Sequence, residues 1–188
     1  MKFIGLICFC TFLLACSPSS KNKTKEKIKT FATFCKNLKK TENLTIDSLS
    51  FAKVIQNNPF SKLNNDELAL VNSSLLKEKC ADNSKYIAYS VGKLTKQKGN
   101  IYLILYLTLN SKCQYDGYEN LFILCNYDSS GNFLSEKIIG KRYLVFGAEE
   151  YSYFDLVTSR KIIQKNINAF ENEFGKTIIE RSKDTLFL

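Results

Sequence analysis

Apolar residues recur along this chain with two different periods, and the change from one to the other falls near Tyr86. Before it the spacing is helical. Phe31, Phe34 and Leu38 predict a short helix, and Asn65-Asp66 opens the clearest one. There Asp66 and Glu67 suit the positive end, Leu68, Val71, Leu75 and Leu76 share one face, and Lys77 and Lys79 suit the negative end. Residues 43–60 carry mixed signals, closing on Asn57-Asn58-Pro59, where the proline disfavours helix in the residue ahead of it. After Tyr86 the period becomes two, or the run is unbroken. Residues 86–94, 101–109, 121–127, 133–139, 151–158, 161–170 and 177–181 are therefore predicted strands. The stretch 101–109 is apolar enough to be a central strand covered on both faces. Polar, glycine-bearing turns separate the strands at 96–100, 110–118 and 128–132, and Gly175 marks the last of them.

Strands that follow one another through short turns make an antiparallel meander. The expected fold class is α+β: an N-terminal helical segment packed on an antiparallel β-meander of about seven strands. A half-closed β-barrel is the alternative, since one helix is little cover for so apolar a sheet. No internal repeat is visible at the periods of solenoids or propellers.

The first residues obey neither period. Lys2 precedes an uncharged apolar run from Phe3 to Ala15, followed by Cys16-Ser17-Pro18-Ser19-Ser20. Thirteen residues are too few to span a bilayer core of about 30 Å, which needs ~20 as helix. Leu13-Leu14-Ala15-Cys16 places a branched apolar residue three positions before a cysteine and a small one directly before it. This resembles the signal peptide of a bacterial lipoprotein, with Leu14 bulkier than is usual at its position. An ordinary cleaved secretory signal is the alternative. The resemblance implies that residues 1–15 are removed and that Cys16 carries a diacylglyceryl thioether and an N-acyl group. At about 0.8 kcal/mol per buried CH₂, three acyl chains anchor the protein in membrane lipid. Ser17 stands where an aspartate would signal inner-membrane retention, which favours the outer membrane. No acidic residue follows to direct surface export, which favours its periplasmic face.

A net charge of +9 invites a nucleic-acid reading, but its distribution argues otherwise. Residues 17–41 hold eight lysines against Glu26 alone, whereas from Glu42 onward 18 basic residues meet 17 acidic ones. The excess belongs to a membrane-proximal tether, where lysines near an anionic surface contribute about 1 kcal/mol each; a plain flexible linker explains the composition equally well. No nucleic-acid partner is expected. The domain reading is residues 1–15 signal peptide, 16–41 lipidated cysteine and basic tether leading into a short helix, and 42–188 a single domain.

Candidate chemistry is sparse. The chain has no histidine, which removes Ser-His-Asp and Cys-His catalysis and the commonest zinc ligand. Cys35, Cys80, Cys113 and Cys125 show no CxxC spacing, and no phosphate-cradling loop is present, so no metal or cofactor is expected. After export four cysteines besides Cys16 meet an oxidising compartment, where four allow three complete pairings. Cys125 sits inside an apolar strand as a small hydrophobe, leaving Cys80 and Cys113 as the expected disulfide. Glu149 and Glu150 are adjacent and so point to opposite faces of a strand. Asp128 opens a turn whose sequence, Tyr-Asp-Ser-Ser-Gly-Asn, resembles one unit of the tyrosine-aspartate repeats of large secreted bacterial proteins; a well-formed hairpin turn accounts for it as well.

Tyrosine is the remaining candidate, since it offers an apolar face and a polar tip to a sugar or a partner protein. Eight tyrosines between 102 and 153 are eligible. Tyr102 and Tyr106 share one side of their strand, and with Tyr127 they form the expected binding surface on an open sheet face, unless they line the core instead. Two triplets, Asp47-Ser48-Leu49 and Asp184-Thr185-Leu186, resemble the acceptor pattern for O-glycosylation of exported proteins in one bacterial group, which implies Ser48 and Thr185 as acceptors. The expected function is a membrane-anchored envelope lipoprotein that binds an envelope protein or polysaccharide without catalysis. The alternative is an envelope hydrolase working through carboxylates.

Overall fold

A computed structural model describes residues 30–76, 86–97, 99–109, 120–145, 148–158 and 160–188. Cys16, most of the lysine tether, Cys80 and Cys113 lie outside the described residues. A helix over residues 30–37 (α1) leads to strand β1 (Leu44–Ile46), helix α2 (Ser48–Gln56), the two-residue strand β2 (Ser61–Lys62) and helix α3 (Asn65–Val71). Seven longer strands follow: β3 (Tyr86–Gln97), β4 (Asn100–Leu109), β5 (Asn120–Tyr127), β6 (Phe133–Val145), β7 (Ala148–Thr158), β8 (Lys161–Glu171) and β9 (Thr177–Phe187). They lie in sheet order β2-β3-β4-β5-β6-β7-β8-β9, every neighbour antiparallel, and β1 pairs with β7. The protein is thus mostly one antiparallel sheet with short helices. The sheet is open: among the described residues its terminal strands β2 and β9 do not pair with each other, so no closed barrel is formed.

The sequence placed strands at all seven long positions, but it misjudged the cover. One N-terminal helical segment on one face was expected, whereas the helices divide between two faces. Residues 102–107 of β4 and 120–125 of β5 are buried without a break. On one side, Tyr102, Ile104, Tyr106, Phe122 and Leu124 meet Ile46 of β1, Phe51 and Val54 of α2, Phe154 and Leu156 of β7 and Ile162 of β8. On the other, Leu103, Leu105, Leu107, Ile123, Cys125 and Tyr127 meet Phe31, Phe34 and Cys35 of α1 and Val71 of α3. Residues 30–37 therefore belong to the folded domain, and its boundary lies earlier than residue 42.

Local chemistry explains the helix limits. In the segment of mixed signals, Asp47 caps α2 by accepting from Ser50 N at 2.8 Å, which started a helix that apolar spacing alone did not reveal. Asn64 and Glu67 form a reciprocal capping box at the start of α3. That helix stops at Val71, well short of Leu76, because Asn72 takes a left-handed conformation at φ 52° and ends it.

Two hairpins use one turn design. Asp128 accepts at Oδ1 from Ser130 N and Asn132 N, with Gly131 N donating to Asp128 O; Asn172 accepts from Phe174 N and Lys176 N, with Gly175 N donating to Asn172 O. Both glycines have positive φ, 80° at Gly131 and 69° at Gly175. They differ in their surroundings. A Cβ at Gly131 would sit 2.5 Å from the Phe31 ring, which rests on this turn and on Tyr127, while a Cβ at Gly175 would meet nothing within 4 Å.

Alanine at Gly175 should therefore cost only the left-handed strain of about 1–2 kcal/mol. Alanine at Gly131 should cost that and more, because α1 must lift off the sheet. Urea midpoints of the two variants measure the difference. Equal losses would mean that Phe31 does not rest on the turn.

Candidate functional site

The tyrosines singled out by sequence are interior residues. Tyr102 is 9% exposed, Tyr106 2% and Tyr127 0%, so none forms an open surface, and Tyr127 faces the opposite side of the sheet from the other two. The reason is the full cover of β4 and β5. Each deep hydroxyl has an internal acceptor instead of a ligand: Tyr106 donates to Asn120 Oδ1 at 2.5 Å and Tyr127 to the Val71 carbonyl at 2.6 Å. Burial pushes the Tyr106 phenol up to about 12, reinforced by Tyr89, and raises Tyr127 as well.

The remaining candidates are dispersed. Cys35 and Cys125 are free, buried thiols in the second core. Burial raises Cys35 to about 11 against the opposing pull of Lys93, and Cys125 to about 12 with the Glu136 charge adding to it. Glu150 pairs with Lys141, and Glu149 accepts from the Tyr151 hydroxyl, so the two carboxylates are separately engaged. Asp128 is held below the usual carboxylate range by its bonds to Asn132 and the turn amides. Glu136 accepts from Ser73 Oγ, Ser74 Oγ and Leu75 N, tying the end of α3 to β6. Ser48 is exposed at the first position of α2, and Thr185 is exposed on β9. Among the described residues no group of three His, Cys, Asp or Glu is placed to hold a metal ion.

What the fold does bring to the surface is the β7–β8–β9 sheet. Its even-numbered face is apolar and buried at one end, through Phe154, Leu156 and Ile162, and becomes polar toward the other. There Ser152 donates to Asn166 Oδ1 at 2.6 Å, and Asn166 Nδ2 donates to Ser182 Oγ and Asp184 Oδ2 at 3.3 and 3.2 Å. An open concavity of about 420 Å³ lies beside this ladder, lined by Asn166, Asn168, Glu180, Arg181 and Ser182. On the odd-numbered face, Tyr151 and Tyr153 stack with ring centroids 6.0 Å apart, and the Arg142 guanidinium lies 5.7 Å over Tyr151. Burial raises both phenols.

The two margins of the sheet are treated differently. At one, β2 pairs with Tyr89 and Ser90 of β3, and residues 39–41 pass over Gly92 so closely that a Cβ there would meet Thr41 Oγ1 at 2.0 Å. Lys93 N donates to Lys39 O and Thr41 N to Lys93 O, which extends the cover to Lys93. At the other, β9 is joined to β8 through eleven residue pairs, and among the described residues no strand pairs with its outer edge. Ile179 (51% exposed) and Phe187 (78%) stand on this strand with no burial to explain them. The alternation predicted this strand to end at Arg181; it runs on to Phe187, so residues 182–187 also belong to the edge. The missed signal is the alternation of Glu180, Ser182 and Asp184 with Arg181, Lys183 and Thr185, polar at both parities, as an uncovered strand allows.

Compared with models of protein families, curated protein sequences and solved structures, the chain matches none.

The raised thiols and phenols fix a pH dependence. Below the ordinary thiol value of 9.0 the folded and unfolded states bind the same protons at Cys35 and Cys125. Above it the unfolded chain releases protons that the fold retains, so stability falls as pH rises toward about 11. Urea midpoints should be level near neutrality and decline above pH 9, and Cys35→Ala/Cys125→Ala should flatten that decline. An identical slope in the variant would show that the thiols are not shielded.

Proposed function

We propose that this chain is a lipid-anchored lipoprotein of the bacterial cell envelope that works by binding, and that its binding element is the free edge of β9. The observation that carries the reading is the contrast between the two margins: β3 is met by β2 and by residues 39–41, whereas among the described residues no strand pairs with the outer edge of the eleven-residue β9. An open edge presents backbone donors and acceptors to an added strand, and exposed side chains on alternate positions supply selectivity. The Leu13-Leu14-Ala15-Cys16 sequence supports acylation at Cys16, and the lysine-rich residues that follow support a position close to an anionic membrane surface, most simply the periplasmic side of the outer membrane. Among the described residues no helix is long and apolar enough to cross a membrane. The described carboxylates engaged above are committed to caps, turns, an ion pair and hydrogen bonds within the fold, which supports binding over a chemical step.

Two measurements test this. Metabolic labelling with a fatty acid should mark the wild-type chain and leave Cys16→Ser unlabelled; an unlabelled wild type that partitions into water would overturn the anchor. The detergent-solubilised full-length protein should capture an envelope protein, and Ile179→Asp/Phe187→Asp, two exposed positions whose change spares the core, should reduce capture by roughly tenfold or more. Undiminished capture would remove β9 from the reading.

A further inference from the structure

The side chains of β9 sort by charge as well as by parity. Arg181 and Lys183 lie on the odd-numbered face, Glu180 and Asp184 on the even-numbered one. In antiparallel pairing, residues directly opposite share a face, and like charges placed opposite one another are unfavourable. This biases what docks on the edge.

A second copy cannot do so comfortably. For two β9 strands related by a two-fold axis normal to the sheet, the register is set by the residue at the centre. Centring on Glu180 opposes Glu180 to itself, and centring on Arg181, Lys183 or Asp184 does the same to each of those. Centring on Ser182 avoids self-contact, but sets Arg181 against Lys183 and Glu180 against Asp184. Every register that overlaps most of the strand therefore places like charges together. These pairings disfavour a second copy without forbidding it, since the sheet already sets Lys165 opposite Lys183, and they leave the backbone groups of the edge available.

We propose that the β9 edge accepts an extended, antiparallel segment of a different protein whose charges alternate in the opposite sense. Resting on the reading of β9 as the binding element, the pattern names the partner's chemistry. Acidic side chains face Lys183 and Arg181, basic ones face Asp184 and Glu180, and apolar ones meet Phe187 and Ile179. The two exposed apolar residues bracket the charged stretch on the odd-numbered face and act as end anchors, while Lys161, 6.0 Å from the Phe187 ring, extends the basic character of that face to β8. Thr185, named above as a glycosylation candidate, lies between Lys183 and Phe187, so a glycan there would obstruct this surface.

The test uses the full-length chain in detergent micelles and a labelled synthetic peptide with isoleucine at both ends, glutamates opposite Lys183 and Arg181, lysines opposite Asp184 and Glu180, and threonine elsewhere. A second peptide replaces the two glutamates by lysines. The first should bind at least about tenfold more tightly than the second, and Arg181→Glu/Lys183→Glu, both exposed positions, should reverse that order. Hydrogen exchange should slow on β9 amides when the first peptide is bound. Equal affinity for the two peptides, an order unchanged by the variant, or protection away from β9 would each overturn the proposal. So would a wild-type dimer that the variant disperses. Envelope capture that depends on Ile179 and Phe187, together with charge-indifferent peptides, would defeat the charge rule and leave the binding function standing. A charge-selective peptide with no capture from envelopes would do the opposite.

Discussion

Burial of β4 and β5 on both faces is the constraint on which the other elements depend. A strand in an antiparallel sheet ordinarily gives one face to water and alternates accordingly. Here neither face can, because apolar side chains occupy both parities from Tyr102 to Leu107 and from Leu121 to Cys125. Two separate covers must be found. Phe122 is the hub of the first: the rings of Tyr106, Phe51, Phe154 and Phe60 surround it at centroid distances of 5.0, 5.2, 5.4 and 6.1 Å. Tyr127 organises the second, with Phe31 and Phe133 packed on its ring at 4.7 and 5.8 Å and its hydroxyl fastened to the end of α3. Helices too short to be stable alone exist because these surfaces need them.

The same demand shapes the margins. Covering the second face requires the chain to arrive from α1 and cross to β1, and that crossing lays residues 39–41 along the outer edge of β3. Gly92 is the point of closest passage, where any side chain would collide with Thr41. The β3 edge is thus occupied from Ala88 to Lys93 as a by-product of covering the core. Among the described residues nothing comparable operates at β9, which is remote from β4 and β5 in sheet order and meets the core through Leu186 and the neighbouring Leu188. An uncovered edge at that end follows from where the apolar surface lies.

Sequence reading recovered what is written in local periods and turn chemistry. The seven long strands were legible from their apolar runs, four of the turns between them being marked by glycine with asparagine or aspartate, and the Asp128–Asn132 turn was legible in detail because aspartate and glycine each have one physical reason to be there. The limits of the helices were less so. Asn72 adopts a left-handed cap where partners distant in sequence take the next helical groups: the Val71 carbonyl accepts from Tyr127, and Leu75 N donates to Glu136. The tyrosine surface failed for a related reason. Period two shows that Tyr102 and Tyr106 share a side, but not whether that side is covered, and the cover came from α2, whose start rests on a single capping aspartate.

The candidate site lay where the period carries least information. A strand with one buried face advertises it by apolar alternation. β9 buries almost nothing on either side, so selection on its side chains is free of packing and its sequence alternates by charge instead. That alternation does not contribute to the core, and exposed ionic contacts along such a strand add little stability. Its fold is held by the backbone ladder to β8 and by the turn at Asn172, neither of which depends on which charges stand at 180–184. The charge pattern at 180–184 thus lies outside the packing of the core, on an edge with which no strand pairs among the described residues, and that is the ground on which the proposed docking rests.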